Sequence, residues 1–381
     1  MHATYLQRVT RHFCEDKGKE FDIAAEVRHA GQATDVRHLV PLTKAGIQHF
    51  STFLPPVRSK DDLDTLPERL KGSEELGFSP LFDPSLIDAC CQRGIFPLAI
   101  AIDDNNFLFA PKLHAERAVC ALAEGAAQRN PMDGFPFCEG DEGIFDKNCL
   151  GVSRKLTKAP NESTRCPSFD IFINRKEDLV DVFTLIRRQH GENWLCAPLR
   201  VCLLHMFFNP TKYATKIIVT AVRHRQYSNV PISGNSPVIQ EGELVACEVG
   251  YLVGDIYASA TGAYCISGGG SLQLSLTGVC MKSAGCRLWD LGMMLRYKKS
   301  LQCVSLPRKK WQKMVSARRS IPNEHILNYL RDLEKGRPVS DFLKSDVPPA
   351  IADPNSKSQH KKRLKKEAAI QRKAERRRLD L

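Results

Sequence analysis

Two carboxylates and a run of glycines are the residues of this chain with the most chemistry to offer. Glu248 lies inside the apolar run Leu244 to Leu252, and Asp290 stands at the end of the β-like stretch Arg287–Leu291, beside Gly292. Between them, Ser267-Gly268-Gly269-Gly270-Ser271 precedes a helical stripe of Leu272, Leu276, Val279 and Cys280. A carboxylate held in apolar surroundings can take or guide a proton. A glycine turn that opens a helix presents orphan N–H groups and the positive dipole end, which favour a phosphate or a developing oxyanion. Each feature has a plainer alternative: a glutamate facing solvent, a flexible loop, an aspartate capping a turn.

These residues need a scaffold, and the sequence outlines one. With Gly254-Asp255 as a two-residue turn, Val253 faces Ile256. The same register sets Gly250 opposite Ser259, Glu248 opposite Thr261 and Ala246 opposite Ala263, and alternation places all six on one sheet face. The helix after the glycines stops at Gly285 and a strand follows, so the order is hairpin, glycine turn, helix, strand, with a backbone-lined cleft beside the helix N-terminus. Upstream, Asp83-Pro84-Ser85 starts a helix that stops at Gly94, and strands at Leu98–Ile102 and Phe107–Phe109 flank a turn at 103–106. Asn174-Arg175-Lys176-Glu177 has the form of a capping box before a helix carrying Leu179, Val182, Phe183 and Ile186. A second helix, Pro198–Phe208, leads into a strand over Lys216–Arg223. Ser305 and Pro307 read as the start of a helix over 305–319 with a basic face of Arg308, Lys309, Lys310, Arg318 and Arg319, and Glu324–Leu333 is another amphipathic helix.

The organisation expected is a fold of mixed α and β elements in the α/β (α+β) class: an extension of short helices and loops over 1–75, a small helix-plus-hairpin domain over 76–116, and the main domain over 117–335. A loop-rich insertion spans 128–166. Residues 336–381 read as a polar linker and a basic tail with helix propensity but no apolar face. The chain has 381 residues and a net charge of +12, of which the 11 Lys/Arg and 3 acids of 356–381 supply +8. The body is therefore only mildly basic, and the polyanion signal sits in the tail. The 14 cysteines are scattered without a C-x-x-C pair, and no His pair has metal-ligand spacing, so free thiols in a reducing compartment are expected and no metal site. Met1–Lys17 lacks the apolar core of a signal peptide, and no apolar run is long enough to span a membrane. A cytoplasmic location follows, with a nuclear one open through the basic tail and a mitochondrial one less favoured.

The order of motifs resembles the leucyl/phenylalanyl-tRNA–protein transferases. The resemblance rests on Arg93-Gly94-Ile95-Phe96-Pro97, on His190-Gly191-Glu192-Asn193-Trp194-Leu195, on Gly242-Glu243-Leu244-Val245 with Gly250 and Gly254, and on Ser300-Leu301 followed by Leu306-Pro307-Arg308. It covers about residues 79–320. It implies a GNAT-like mixed sheet flanked by helices, and transfer of an amino acid from aminoacyl-tRNA to the N-terminal α-amino group of an acceptor protein, as in N-degron tagging and protein catabolism. It implies no cofactor, and as partners aminoacyl-tRNA and a protein N-terminus, with no membrane and a monomeric chain. Carried onto this sequence, Asp290 is the retained catalytic acid and Glu248 falls on a pocket position, where it would guide the amine proton or line the aminoacyl pocket. Ser259, Ala260, Thr261, Gly268, Gly269, Gly270, Trp194, Phe96 and Gly292 would line the substrate, and Arg93, Arg308, Lys309 and Lys310 would meet RNA. The family's glutamate falls on Ala260, its glutamine on Gly292 and its tryptophan on Leu98. Two other functions stand beside this one: a non-catalytic tRNA- or RNA-binding protein, and an acyltransferase of GNAT type using an acyl-coenzyme A donor.

Overall fold

The computed structural model describes residues 22–103, 106–122, 169–192, 194–225 and 242–343. The sequence's 128–166 insertion, its first 17 residues and its basic tail lie outside them. Before the sheet come three short helices, α1 (Ile23–Gln32), α2 (Lys44–Ser51) and α3 (Lys60–Arg69), then β1 (His38–Leu39) paired with β2 (Leu81–Phe82), and α4 (Pro84–Cys91). Asp22, Thr43 and Ser59 cap α1 to α3 through their side-chain oxygens. Proline at the first turn of α4 removes an N–H that no helix could satisfy. The hairpin of β3 (Ala99–Ala101) and β4 (Phe107–Phe109) lies within the strands expected on either side of the turn at 103–106.

The main sheet has eight strands in the order β11-β5-β10-β9-β8-β7-β6-β12. They are β5 (Glu116–Ala121), β6 (Phe169–Ile173), β7 (Lys216–His224), β8 (Leu244–Val253), β9 (Ile256–Tyr264), β10 (Leu288–Asp290), β11 (Val304–Pro307) and β12 (Arg337–Pro338). Every neighbouring pair is antiparallel except β9 and β10, which α7 (Gly269–Ala284) joins as a crossover. This mixed sheet flanked by helices is the fold class the sequence indicated. One face packs α5 (Leu179–His190), α6 (Ala197–Phe208) and α9 (Arg308–Arg318) around Phe183, Leu199, Val249, Tyr251 and Trp311. The other packs α7 and α10 (Glu324–Asp332) around Ala246, Leu252, Tyr257, Leu276 and Trp289. A short α8 (Arg296–Ser300) follows β10, and α11 (Val339–Leu343) follows β12.

Three local expectations are corrected. Residues 174–177 do not form a capping box: Asn174 adopts φ +60° and its side-chain oxygen accepts from Val219 N–H at 2.9 Å, so a 3₁₀ turn at Lys176–Asp178 leads into α5 instead. Ser305 and Pro307 belong to β11, where Ser305 Oγ donates to Glu116 of β5, and the helix starts only at Arg308. The polar stretch after 336 is not linker at its start, because β12 pairs with β6 and α11 continues to Leu343.

The turn at Gly254-Asp255 shows why glycine stands there. Its φ is +55°, and a Cβ would fall 1.9 Å from the carbonyl oxygen of Arg318. Arg318 itself donates to both Asp255 carboxylate oxygens, at 2.8 and 2.7 Å, and so ties the end of α9 to this turn.

Candidate active site

The hairpin register holds from the turn to Gly250↔Ser259, as the sequence indicated, and then slips. Ala260 is an extra residue on β9, so Val249 pairs with Thr261, Glu248 with Gly262 and Ala246 with Tyr264. A bulge of this kind leaves one residue unpaired and turns the side chains beyond it. Ser259 therefore shares the α7 face with Glu248, whereas Ala263 packs in the core on the α5 face and Ala260 packs against it. The expected set of six on one face is broken at that point.

Glu248 does not face solvent. It is 2% exposed, and its carboxylate is the acceptor at the centre of a polar network. Oε1 accepts from Tyr257 Oη–H and from Ser259 Oγ–H, each at 2.6 Å, and Oε2 accepts from the Gln273 amide, which also donates to Thr277 Oγ1 at 2.9 Å. Trp289 Nε1–H donates to Ser259 Oγ at 2.8 Å. Strands β8, β9 and β10 and helix α7 each contribute to the network. Gly250 makes room for it, since a Cβ there would fall 2.3 Å from Tyr257 Oη. Burial raises the Glu248 carboxyl above its ordinary value, and hydrogen bonds from Ser259, Tyr257 and Gln273 offset only part of that rise. Burial also raises Tyr297, and the charge of Glu248 adds to that, which places this phenol within electrostatic reach of the carboxylate.

Ser259 stands at a structural junction. The parallel pairing of β10 with β9 ends at Asp290↔Ala258, so Ser259 is the first residue of β9 beyond it. Beyond that pair the sheet splits, and Gln189 and His190 at the end of α5 meet the β9 backbone. The Gln189 side-chain oxygen accepts from Tyr264 N–H at 2.9 Å, and His190 Nε2 lies 2.8 Å from the Gly262 carbonyl oxygen. The glycine turn follows β9. Gly268 has φ +80° as N-cap of α7, Gly269 N–H donates to Ile266 O, and the Tyr264 ring covers Gly270 closely enough to exclude a Cβ. Ser259 is half-buried, donates to Glu248 and accepts from Trp289, which leaves its hydroxyl one lone pair for a further donor.

Asp290 is in a different place. Trp289 faces α7, and Asp290, one residue on, faces the other side of the sheet with no exposure. Arg117 donates to both of its oxygens, Nε to Oδ1 at 2.9 Å and to Oδ2 at 3.1 Å with Nη2 also on Oδ2. Gly292 N–H donates to Oδ1 at 2.9 Å. Because arginine has no acceptor, the contact of Arg117 Nη1 with His114 Nδ1 at 2.7 Å makes that imidazole nitrogen the acceptor. Burial, and then the Arg117 charge, push His114 down to about 2. The Arg117 guanidinium lies 5.7 Å from the Phe96 ring centroid and 5.8 Å from that of Trp311, while Phe96 and Trp194 are 5.6 Å apart. Lys298 Nζ, beside this cluster, donates to the carbonyls of Leu291 and Met293. The sheet thus brings Phe96, Trp194 and Asp290 together and separates them from Glu248, so the two carboxylates do not address one reacting atom.

The four cations expected at RNA are spread over different contacts. Arg93 grips both Asp64 carboxylate oxygens, at 2.6 and 2.9 Å, and Arg308 donates to the carbonyls of Glu74 and His114. Lys309 and Lys310 are exposed on α9. Residues that the sequence did not single out are Tyr257, Gln273, Thr277 and Trp289 around Glu248, and Arg117 and His114 around Asp290. A glutamine inside the apolar stripe of α7 was the one available signal. An open groove of about 400 Å³ between α1 and α5, lined by Ile23, Val180, Thr184, Arg187 and Arg188 among others, shares no residue with either cluster. Among the described residues no group of three or more His, Cys, Asp or Glu side chains is placed to hold a metal ion, and no helix is long and apolar enough to cross a membrane. The ten described cysteines are free thiols, all buried but Cys265.

No protein-family model matches this chain, and no curated protein matches it. Among solved structures, it is similar to the C-terminal DUF2156 domain of a candidate lysylphosphatidylglycerol synthetase from Agrobacterium fabrum. The two are 12% identical with a TM-score of 0.34, over 83% of this chain and 96% of that one. A likeness this distant carries no activity across. The leucyl/phenylalanyl-tRNA–protein transferase family therefore finds no support in any of these comparisons. The expectations that rested on that resemblance fall with it: transfer to a protein N-terminus, N-degron tagging and protein catabolism, and an acceptor protein as partner, while aminoacyl-tRNA is left without support.

Proposed function

We propose that the chain is an acyl-transfer enzyme whose reacting centre is the split between β9 and β10, with Glu248 as general base acting through the Ser259 hydroxyl. The carrying observation is the hydrogen-bonded pair Ser259–Glu248 at the first residue past the parallel pairing, with the carboxyl raised by burial. In the reaction, a nucleophilic acceptor gives its proton to Ser259 Oγ as Ser259 passes its own to Glu248 Oε1. The acceptor's electron pair forms a bond to the acyl carbon of an activated ester or thioester, and the carrier leaves with the bonding electrons and with the proton that Glu248 returns through Ser259, which restores the carboxylate. A buried base with a raised pKa is better matched to this work near neutrality than an ordinary carboxylate. Trp289 and Tyr257 hold the relay in register through their hydrogen bonds.

The test is to supply the protein with a panel of activated acyl donors and amine and hydroxyl acceptors and follow carrier release. Glu248→Gln and Ser259→Ala should each lower turnover by about 10²-fold or more, the scale for losing a positioned proton-transfer group. Unchanged turnover in both variants would reduce the network to a structural tie between α7 and the sheet.

A further inference from the structure

The stretch from Leu291 to Asn323 holds nine Lys and Arg residues and no Asp or Glu. In its first part three large apolar side chains stand in solvent: Met293 at 52% exposure, Leu295 at 44% and Tyr297 at 50%. Arg296 and Lys299 are exposed among them, and Lys309 and Lys313 are exposed on the helix that follows. The loop is held in this form. Lys298 is buried and its ammonium donates to the Leu291 and Met293 carbonyls, while Leu301 and Cys303 N–H groups close back on the Lys298 carbonyl. Gly292 N–H is fixed by Asp290. The apolar side chains are therefore presented by a tied backbone.

We infer that this loop and the start of α8 are a docking element for an anionic lipid surface. Alternate apolar prongs at residues 293, 295 and 297, one of them a tyrosine, suit the headgroup boundary, where an amphipathic ring has both an apolar and a wet side. Exposed cations interleaved with the prongs, in a stretch without acids, complement the negative potential of acidic lipids. Nucleic acid would satisfy the cations but would leave Met293 and Leu295 without a partner. A protein surface would have to be both acidic and apolar at the same spacing. No described helix spans a membrane, so the contact is peripheral. This inference does not depend on the acyl-transfer reading, since it concerns a surface and not the Glu248 network.

The experiment is co-sedimentation of the full chain with large vesicles of phosphatidylcholine alone or with about a third phosphatidylglycerol, at low and at physiological salt. The chain should partition onto the acidic vesicles, less onto the neutral ones, and less again as salt rises. The triple variant Met293→Ser, Leu295→Ser, Tyr297→Ser should lose at least tenfold in partition with at most a small drop in the thermal transition, since about half of each side chain is already exposed. Arg296→Gln with Lys299→Gln should weaken binding to acidic vesicles while leaving the weak neutral-vesicle binding in place. Failure to bind acidic vesicles would overturn the inference. So would binding that survives the triple substitution, which would locate the contact elsewhere, and so would binding to a single-stranded RNA probe that the triple variant loses in place of vesicle binding.

Discussion

Replacing Asp290 by Asn gives the sharpest test of what the centre of the sheet is made of. The Arg117–Asp290 pair is 1% and 0% exposed, with Arg117 Nε and Nη2 both on the carboxylate. Removing the charge while keeping the shape leaves the guanidinium buried without its counter-ion and with the Lys298 ammonium nearby. Breaking a buried pair on one side costs about 3–5 kcal/mol. The Phe96 and Trp311 rings near the guanidinium recover at most about 1–2 kcal/mol of this, because their centroids are near the outer limit of the interaction. A net loss of about 3 kcal/mol is expected, which for a unit of this size lowers Tm by roughly 4–6 °C. Guanidinium unfolding followed by circular dichroism measures it. The companion is Arg117→Met with Asp290→Leu, which removes both charges and should cost less than Asp290→Asn alone. A loss below about 1 kcal/mol for Asp290→Asn, or a double variant worse than the single one, would refute the account of Asp290 as a counter-ion.

Other buried groups carry expectations of the same kind. His114 is held neutral in the fold at about 2, whereas the unfolded imidazole takes a proton below roughly 6.5, so its contribution to stability is present above that pH and is lost as pH falls. His114→Gln should flatten the acid limb of the stability profile, and an unchanged limb would count against the burial argument. Glu248 is shifted the other way, so ionising it is easier in the unfolded chain and the wild type should lose stability relative to Glu248→Gln as pH rises past about 4.5. Equal profiles for the two proteins would mean that the carboxylate is not desolvated. Gly250→Ala should destabilise by about 1–3 kcal/mol, because its Cβ would drive Tyr257 Oη off Glu248. A variant as stable as the wild type would show that the phenol can bond elsewhere.

What the sequence made legible is the part written in local pattern. The Gly254-Asp255 turn fixed four pairs of the hairpin, Gly285 stopped α7, and period-2 runs located β8 and β9. The register slip was hidden because the extra residue is an alanine, which carries no mark of a bulge. Ser305 and Pro307 mimic a helix start, since the same residue types serve an edge strand and a first turn. Asn174 fits a cap by type but is claimed by a backbone N–H on β7, 45 residues away. Around the candidate site, Glu248 stood out as an acid in an apolar run, yet the residues that hold it were not readable. They come from β9, α7 and β10, and nothing in their spacing announces that they converge. Arg117 lies 173 residues from Asp290, and a partner at that distance leaves no trace in periodicity.

The position of β5 has a consequence for how the molecule is made. Val119 sits between Asp290 on one side and Val304 on the other, so an early strand is flanked by two late ones. During synthesis β5 emerges long before either neighbour exists, and its apolar residues must wait while β7, β8 and β9 zip together as a local antiparallel meander. Closure of a loop of this length adds entropy only slowly with chain length, but it delays the contact until the last third of the chain arrives. Chain order thus lets the middle of the sheet pair first, and both edges wait: β5 for β10 and β11, and β6 for β12, which comes last. Until then β5 has two open edges, and such edges are where a nascent chain can mispair.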